Sequence, residues 1–155
     1  MAKKPSQPQD STQDSDRQFI IKQVFIKKTA LDVTLAPFEL TAQWQPDASM
    51  QIDVHTEKLA DDDYIVELKT NIDVKNDNKQ IFTIESVQSG IFQITGYTEE
   101  QMDQLRNSFC PNVLFPYARQ IVSQLTSQAG FPPLIMAPID FDGRYQQMKA
   151  EGKSA

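Results

Sequence analysis

The sequence contains few of the residues from which catalytic and metal sites are usually built. Among its 155 residues there is one cysteine, Cys110, and one histidine, His55. An internal disulfide is therefore excluded, and the repeated ligand spacing typical of a zinc site is absent. The five glycines are scattered, and none belongs to a G-x-x-x-x-G-K-S/T loop of the kind that holds nucleotide phosphates. We expect no metal, no ATP and no other cofactor.

Positive charge and long apolar runs are also scarce. The chain has 15 Lys and Arg and 21 Asp and Glu, which gives a formal net charge of -6. This negative charge disfavours a nucleic acid partner. No run of about 18 apolar residues is present, so we expect no direct membrane insertion. The start Met1-Ala2-Lys3-Lys4 lacks the apolar stretch of a signal peptide, and the lone cysteine suits a reducing compartment. We expect a cytoplasmic protein.

The composition supports one domain, since 39% of the residues are hydrophobic. Residues 1–18 contain no large apolar side chain after Met1, so they cannot bury enough surface to offset the entropy of ordering. We expect a disordered segment over 1–18, a domain over 19–150 and a short flexible tail over 151–155.

The first two thirds of that domain have the patterning of β-strands. Simple alternation along residues 19–26 places Phe19, Ile21 and Phe25 on one strand face and Ile20, Val24 and Ile26 on the other. Apolar and polar residues alternate again over 50–55 and 64–75, and Asn76-Asp77-Asn78 forms a turn into 81–87. Successive strands without intervening helices indicate an antiparallel sheet.

Helical patterning is confined to the C-terminal part. Thr98 opens a capping box, and Val113, Tyr117, Ile121 and Leu125 recur every four residues. The polar, proline-containing stretch near residue 110 indicates a corner, and because Pro116 disrupts a helix interior, we expect the regular helix either to start near Leu114 or to bend there. Asp140 caps a last short helix that Gly143 weakens. The patterning therefore predicts an α+β fold, in which three or four antiparallel strands precede the helices.

Three features could carry chemistry, and each has a plainer explanation. Cys110 could be the nucleophile of a thiol-dependent enzyme with His55 as its base, although a single histidine on a polar strand face is usually solvated. The run Asp61-Asp62-Asp63 could bind a cation, but adjacent carboxylates before a strand usually form a solvated turn. Trp44 either fills the edge of the core or lines a groove.

One run of residues resembles a known family. The segment 109–119, Phe-Cys-Pro-Asn-Val-Leu-Phe-Pro-Tyr-Ala-Arg, is similar to the start of the long helix in SecB, the bacterial export chaperone. Trp44-Gln45-Pro46, Leu59-Ala60-Asp61-Asp62, Gly90-Ile91-Phe92 and 137–141 follow in the same order and at the same spacing as in that family. The resemblance covers roughly residues 19–147, and it implies an α+β fold with a four-stranded antiparallel sheet and helices packed on one side.

The resemblance implies a protein without catalytic activity. SecB-like proteins hold precursor proteins unfolded without ATP and deliver them to SecA, the motor of the Sec translocase. They assemble as homotetramers, each a dimer of dimers. An alternative within the family is a chaperone dedicated to one client, such as an antitoxin.

The resemblance also implies two sets of site residues. Its client-binding groove corresponds to Trp44, Met50, Ile52, Phe141, Tyr145 and Met148, for which ordinary core packing is the alternative role. Its SecA-binding patch corresponds to Lys28, Asp32, Thr83 and Glu85. Lys28 replaces an acid that is usual in the family, and Thr83 replaces an apolar residue. We therefore expect weaker attraction of a basic partner, or a shift of the contact to Asp53 or Glu57.

Overall fold

The computed structural model describes residues 16–152. The predicted disordered segment 1–18 therefore lies largely outside the described residues, and the predicted tail 151–155 lies partly outside them. Four strands run β1 (Gln18–Val33), β2 (Asp47–Lys58), β3 (Asp63–Asn76) and β4 (Lys79–Thr95), with a short 3-10 helix at Pro37–Glu39. Helices α1 (Glu99–Gln104), α2 (Cys110–Gln128) and α3 (Phe141–Ala150) follow, with a π-helical turn at Leu105–Phe109 between α1 and α2.

The strands form one antiparallel sheet in the order β1-β4-β3-β2. The hairpin between β3 and β4 closes with Asp77 and Asn78, at φ 52° and 60°. Positive φ at both central positions matches the right-handed twist of the strands, and Asp and Asn tolerate that conformation. The predicted α+β fold and its four-stranded antiparallel sheet are confirmed.

The core lies between α2 and the two central strands. Leu114, Ala118 and Val122 are fully buried against the side chains of β3 and β4. Gly90 on β4 permits the close approach, because a Cβ there would collide with the ring of Phe92 and contact Leu114. We call the face that α2 covers the helix side and the opposite face the outer side.

Only one of the two adjacent apolar stripes of α2 is buried. Tyr117 is 48% exposed, and Val113, Ile121 and Leu125 are half-buried. The stripe through Leu114, Ala118 and Val122 is buried instead. Periodicity shows two adjacent apolar stripes, but it does not say which one meets the sheet.

The predicted corner before α2 was wrong. The chain stays helical from Glu99 to Gln128, because the π-helical turn joins α1 to α2. The Cys110 N–H donates to the carbonyl of Leu105, five residues back. Pro111 follows at once, and since its nitrogen has no hydrogen, the widened turn sits where a regular helical bond could not form.

Strand β1 is longer than the predicted stretch 19–26, and its faces are not those of simple alternation. Its pairing with β4 shifts between Ile21 and Gln23 and again between Ile26 and Lys28. Lys22 and Lys27 are therefore the extra residues of two β-bulges, and each bulge inverts the alternation. Cross-strand partners show that the residues on the helix side are Phe19, Ile21, Val24, Ile26, Leu31 and Val33.

One row across the centre of the sheet is unusually polar. Ile52, Thr70, Ser86 and Thr29 are successive cross-strand neighbours on the helix side. Thr70 and Ser86 are fully buried, and their hydroxyl oxygens have no hydrogen-bond partner among the described residues. A buried polar group without a partner costs free energy, so this row opposes the stability of the core.

We predict that Thr70→Val raises the free energy of unfolding by about 1 kcal/mol, because it removes a buried unpaired hydroxyl while keeping the shape of the side chain. Urea denaturation followed by circular dichroism measures the change. Thr29→Val is the matched control, since Thr29 lies in the same row but is exposed. An unchanged or lowered stability in Thr70→Val would show that the hydroxyl contributes favourably.

Candidate binding surfaces

Helix α3 is held to the domain by polar contacts as well as by its two buried aromatic residues, Phe141 and Tyr145. The Tyr145 hydroxyl donates to the Asp103 carboxylate at 2.6 Å, and Lys149 pairs with Glu100 at 2.9 Å. The Arg144 guanidinium donates to the backbone carbonyl of Ile52 at 2.8 Å, which ties α3 to β2. These contacts position α3 against both α1 and the sheet.

The helix begins at a tight cap. The Asp140 carboxylate accepts the Gly143 N–H at 2.9 Å. A Cβ at position 143 would collide with that carboxylate, so Gly143 stabilises the start of α3 rather than weakening the helix as predicted.

A cavity of about 400 Å³ lies between α1, the π-helical turn and the start of α3. Its walls are aromatic and aliphatic, with amide and carboxylate groups at the edge. The apolar lining consists of Tyr97, Leu105, Phe109, Ile139 and Phe141. An open apolar cavity of this size accepts side chains of an extended polypeptide.

The six predicted groove residues occupy two separate places. Met50, Ile52, Phe141, Tyr145 and Met148 belong to β2 and α3, which the Arg144 contact brings together. Trp44 lies at the other end of α2, where its ring stacks on Phe131 at 5.3 Å between centroids.

Exposure separates the β2 and α3 residues further. Ile52, Phe141 and Tyr145 are 6%, 3% and 5% exposed, whereas Met50 is 41% exposed and Met148 is half-buried. In this conformation only the two methionines present much apolar surface to solvent.

Sequence reasoning missed four apolar residues of the cavity, Tyr97, Leu105, Phe109 and Ile139. Phe109 opens the segment that carried the family resemblance, and that was the available signal. Its ring is 47% exposed and lies edge-on to Phe19 at 5.0 Å.

The four predicted SecA-binding residues do lie together on the outer side. Asp32 is the cross-strand neighbour of Thr83, and Ala30 is the neighbour of Glu85. Lys28 pairs with Glu85 at 2.9 Å, and Lys69 approaches the same carboxylate at 3.8 Å. The hydrogen bond from Lys28 is the main cause that lowers the pKa of Glu85, with a smaller contribution from Lys69.

A strip of apolar residues on β1 remains uncovered. Ile21, Ile26 and Val33 point to the helix side but are 47%, 51% and 42% exposed, because α2 lies over β3 and β4. We call these three residues the β1 strip. It runs along β1, which is an edge strand of the described sheet, so the backbone groups of β1 that point away from β4 pair with no strand of that sheet.

The structure separates the two residues of the thiol-enzyme hypothesis. Cys110, the first residue of α2, is completely buried, and burial raises the pKa of its thiol to about 12. His55 is the cross-strand neighbour of Glu67 on the outer side, so the sheet lies between the two. Within residues 16–152, no group of three or more His, Cys, Asp or Glu side chains is arranged to hold a metal ion.

Comparison with known proteins gives the family. A sequence profile described as preprotein translocase subunit SecB matches residues 12–152. A protein-export protein SecB of Methylococcus capsulatus is 37% identical over 138 residues, which make up 89% of each chain. The protein of the same name from Nitrosococcus oceani is 34% identical over an alignment covering 100% of this chain and 96% of that one. The chain belongs to the SecB family.

A solved structure shares the SecB fold. The SecB-like chaperone of Mycobacterium tuberculosis, determined in complex with a peptide from an antitoxin, has a TM-score of 0.66 over 78% of this chain and 90% of that chain. Sequence identity is 17%, so the likeness concerns the fold alone. No helix within residues 16–152 of this SecB family member is long and apolar enough to cross a membrane.

We predict that Tyr145→Phe loosens α3. The hydrogen bond to Asp103 raises the pKa of Tyr145 to about 12, so its contribution to docking is complete below the ordinary tyrosine pKa of about 10 and is lost as the pH rises through about 12. Hydrogen exchange of the α3 amides should be faster in Tyr145→Phe than in the wild type at neutral pH, where the hydroxyl is protonated and donates to Asp103. The exposed Tyr117→Phe serves as the control. Equal exchange in Tyr145→Phe and wild type at neutral pH would show that the hydroxyl does not hold α3.

Proposed function

We propose that this SecB family member is an ATP-independent chaperone that holds precursor proteins unfolded and delivers them to SecA for export through the Sec translocase. The supporting observation is the apolar surface that one folded chain leaves open, namely the cavity beside α3, the exposed Met50 on β2 and the half-buried Met148 on α3. Unfolded chains share backbone groups and apolar side chains, so a surface of this kind binds them without reading sequence. Binding the unfolded state also slows folding without any hydrolysis.

The proposed client surface combines the predicted residues with the cavity. Met50, which is exposed, and Met148, which is half-buried, supply flexible thioethers that adapt to different side chains. Phe141 contributes from the wall of the cavity, whereas Tyr145 and Ile52 support the surface from below. Trp44, stacked on Phe131, forms a second contact region at the far end of α2. A client that wraps around the protein gains affinity from several weak contacts at high effective concentration.

We expect the double variant Met50→Asp, Met148→Asp to retain a denatured precursor poorly. Each lost apolar anchor removes about 1.5 to 3 kcal/mol of favourable burial, and charge is introduced at the contact. The rate at which a diluted, denatured precursor refolds or aggregates in the presence of the chaperone measures retention. Ile135→Asp is a control, because Ile135 is 60% exposed but lies outside the cavity. Normal retention by an intact double variant would reject this client surface.

We also propose a homotetramer, a dimer of dimers. Pairing of β1 with β1 of a second copy would continue the sheet and satisfy its edge, and the β1 strip with Tyr117 on α2 would then be covered by further copies. In a monomer the buried stripe of α2 would pack on the sheet equally well, but the β1 strip would remain exposed to water.

Ile26→Asp should reduce the assembly to dimers or monomers, because a charge placed in the β1 strip would be buried without a partner. Size exclusion with light scattering, with and without an unfolded precursor, reports the number of subunits and client holding together. Leu59→Asp, at a half-exposed position outside the strip, should leave the mass unchanged. A wild-type protein that is a single subunit and does not hold precursor would overturn the proposed function.

SecA is proposed to dock on the outer side at Lys28, Asp32, Thr83 and Glu85. The four residues lie within a few strand positions of one another and leave the client surface on the helix side free. Docking on one face and holding on the other allows a ternary complex. A chaperone with this role meets precursors before they cross the membrane, so we place it in the cytoplasm. We propose no catalytic role for any residue.

The dedicated chaperone is the second candidate, because the solved structure with the same fold is a SecB-like chaperone bound to an antitoxin peptide. The relatives named protein-export proteins are 34% to 37% identical, against 17% for that chaperone, which favours the export role. Affinity purification from cells separates the two. Many exported precursors would support export, and one partner would support dedication.

A further inference from the structure

The outer side of the sheet carries an ordered set of ion pairs. Lys22 pairs with Asp63 and Lys27 with Glu67, each at 2.7 Å, while Lys28 pairs with Glu85 at 2.9 Å. In every pair the lysine lies on β1 and the acid on a central strand. Lys28 pairs with an acid on the neighbouring strand β4, whereas Lys22 and Lys27 reach over β4 to acids on β3. The outer side therefore carries paired charges and is not uniformly acidic.

The second bulge of β1 accounts for the density of lysines there. In a regular strand Lys27 and Lys28 would point to opposite faces. Because Lys27 is the extra residue of a bulge, both side chains reach acids on the outer side. The two lysines are adjacent in sequence, yet they engage different carboxylates.

Glu85 differs from the other acids in being held from two sides. Lys28 reaches it from β1 and Lys69 from β3, at 2.9 Å and 3.8 Å. Asp32, on the same patch, forms no ion pair with any residue in the described part of the chain. Two acids of the patch are therefore present, but one of them is already neutralised.

We propose that Lys28 and Lys69 form a charge clamp that withholds Glu85 from a cationic partner and so sets the affinity of the outer side for that partner. This inference rests on the proposed docking of SecA at the same patch. A basic segment of the partner must displace Lys28 to reach Glu85, exchanging one exposed ion pair for another. Its electrostatic gain is small, and binding depends weakly on salt.

Lys28→Met tests the clamp. Breaking it frees Glu85, and exposed ion pairs are worth up to about 1 kcal/mol, so SecA should bind about two- to fivefold more tightly. Isothermal titration calorimetry of the assembled full-length chaperone with purified SecA gives the affinity at two salt concentrations, and the variant should show the steeper salt dependence. Lys27→Met is the matched control, since it removes the same charge one residue away and frees Glu67 instead.

A second measurement follows the clamp in the free protein. In a carboxyl-carbon NMR titration the pKa of Glu85 should rise toward the ordinary glutamate value in Lys28→Met and stay low in Lys27→Met. An unmoved Glu85 pKa in Lys28→Met overturns the clamp. So does equal tightening of SecA binding by both variants, which would show a general effect of net charge.

The outcomes separate this inference from the proposed function. If wild type and both variants bind SecA with the same affinity, binding of SecA stands and the clamp fails. If none of the three binds SecA, the proposed docking fails, and the clamp fails with it as a determinant of partner affinity.

Discussion

The close packing of α2 on the two central strands is the contact on which the rest of the structure depends. It requires Gly90, because any Cβ there would collide with Phe92 and push against Leu114. With α2 seated over β3 and β4, the apolar residues of those strands are removed from water. The same placement leaves the β1 strip uncovered, since one helix spans only part of a four-stranded sheet. Burial in one region and exposure in another therefore have a common cause.

The two sides of the sheet are chemically different, which suits two kinds of partner. The helix side offers apolar surface beside a helix that is held partly by hydrogen bonds and ion pairs. Contacts of this kind can open and re-form at small cost, whereas an apolar interface of equal area would resist opening. The outer side offers charges that are largely paired, so recognition there is governed by exchange of ion pairs. Holding a client and meeting a motor would then occur on separate surfaces.

The course of the strands and helices was readable from the sequence to a useful extent. The alternation over 64–75, the Asn76-Asp77-Asn78 turn and the capping box at Thr98 correspond to observed elements, because each depends on neighbours in the chain. The bulges at Lys22 and Lys27 could not be predicted from the sequence, since they depend on how β1 aligns with β4, a strand that is distant in the chain. The π-helical turn was not predicted for a similar reason. Prolines indicate a disturbance of the helix, and the rest of the fold decides whether the chain turns a corner or widens.

For the candidate sites, the sequence by itself determined the family and the residue types present: methionines and aromatics for one surface, and a patch in which Lys28 stands among acids. Those are properties of single positions and short motifs. The tertiary structure decided which of them reach solvent, since burial is a property of packing. In the folded chain Tyr145 is buried and hydrogen-bonded to Asp103, whereas Met50 is exposed. A second lysine, Lys69, lies against Glu85. Burial and ion pairing both depend on distances between residues far apart in the chain, and these distances are fixed only when the sheet and helices pack together.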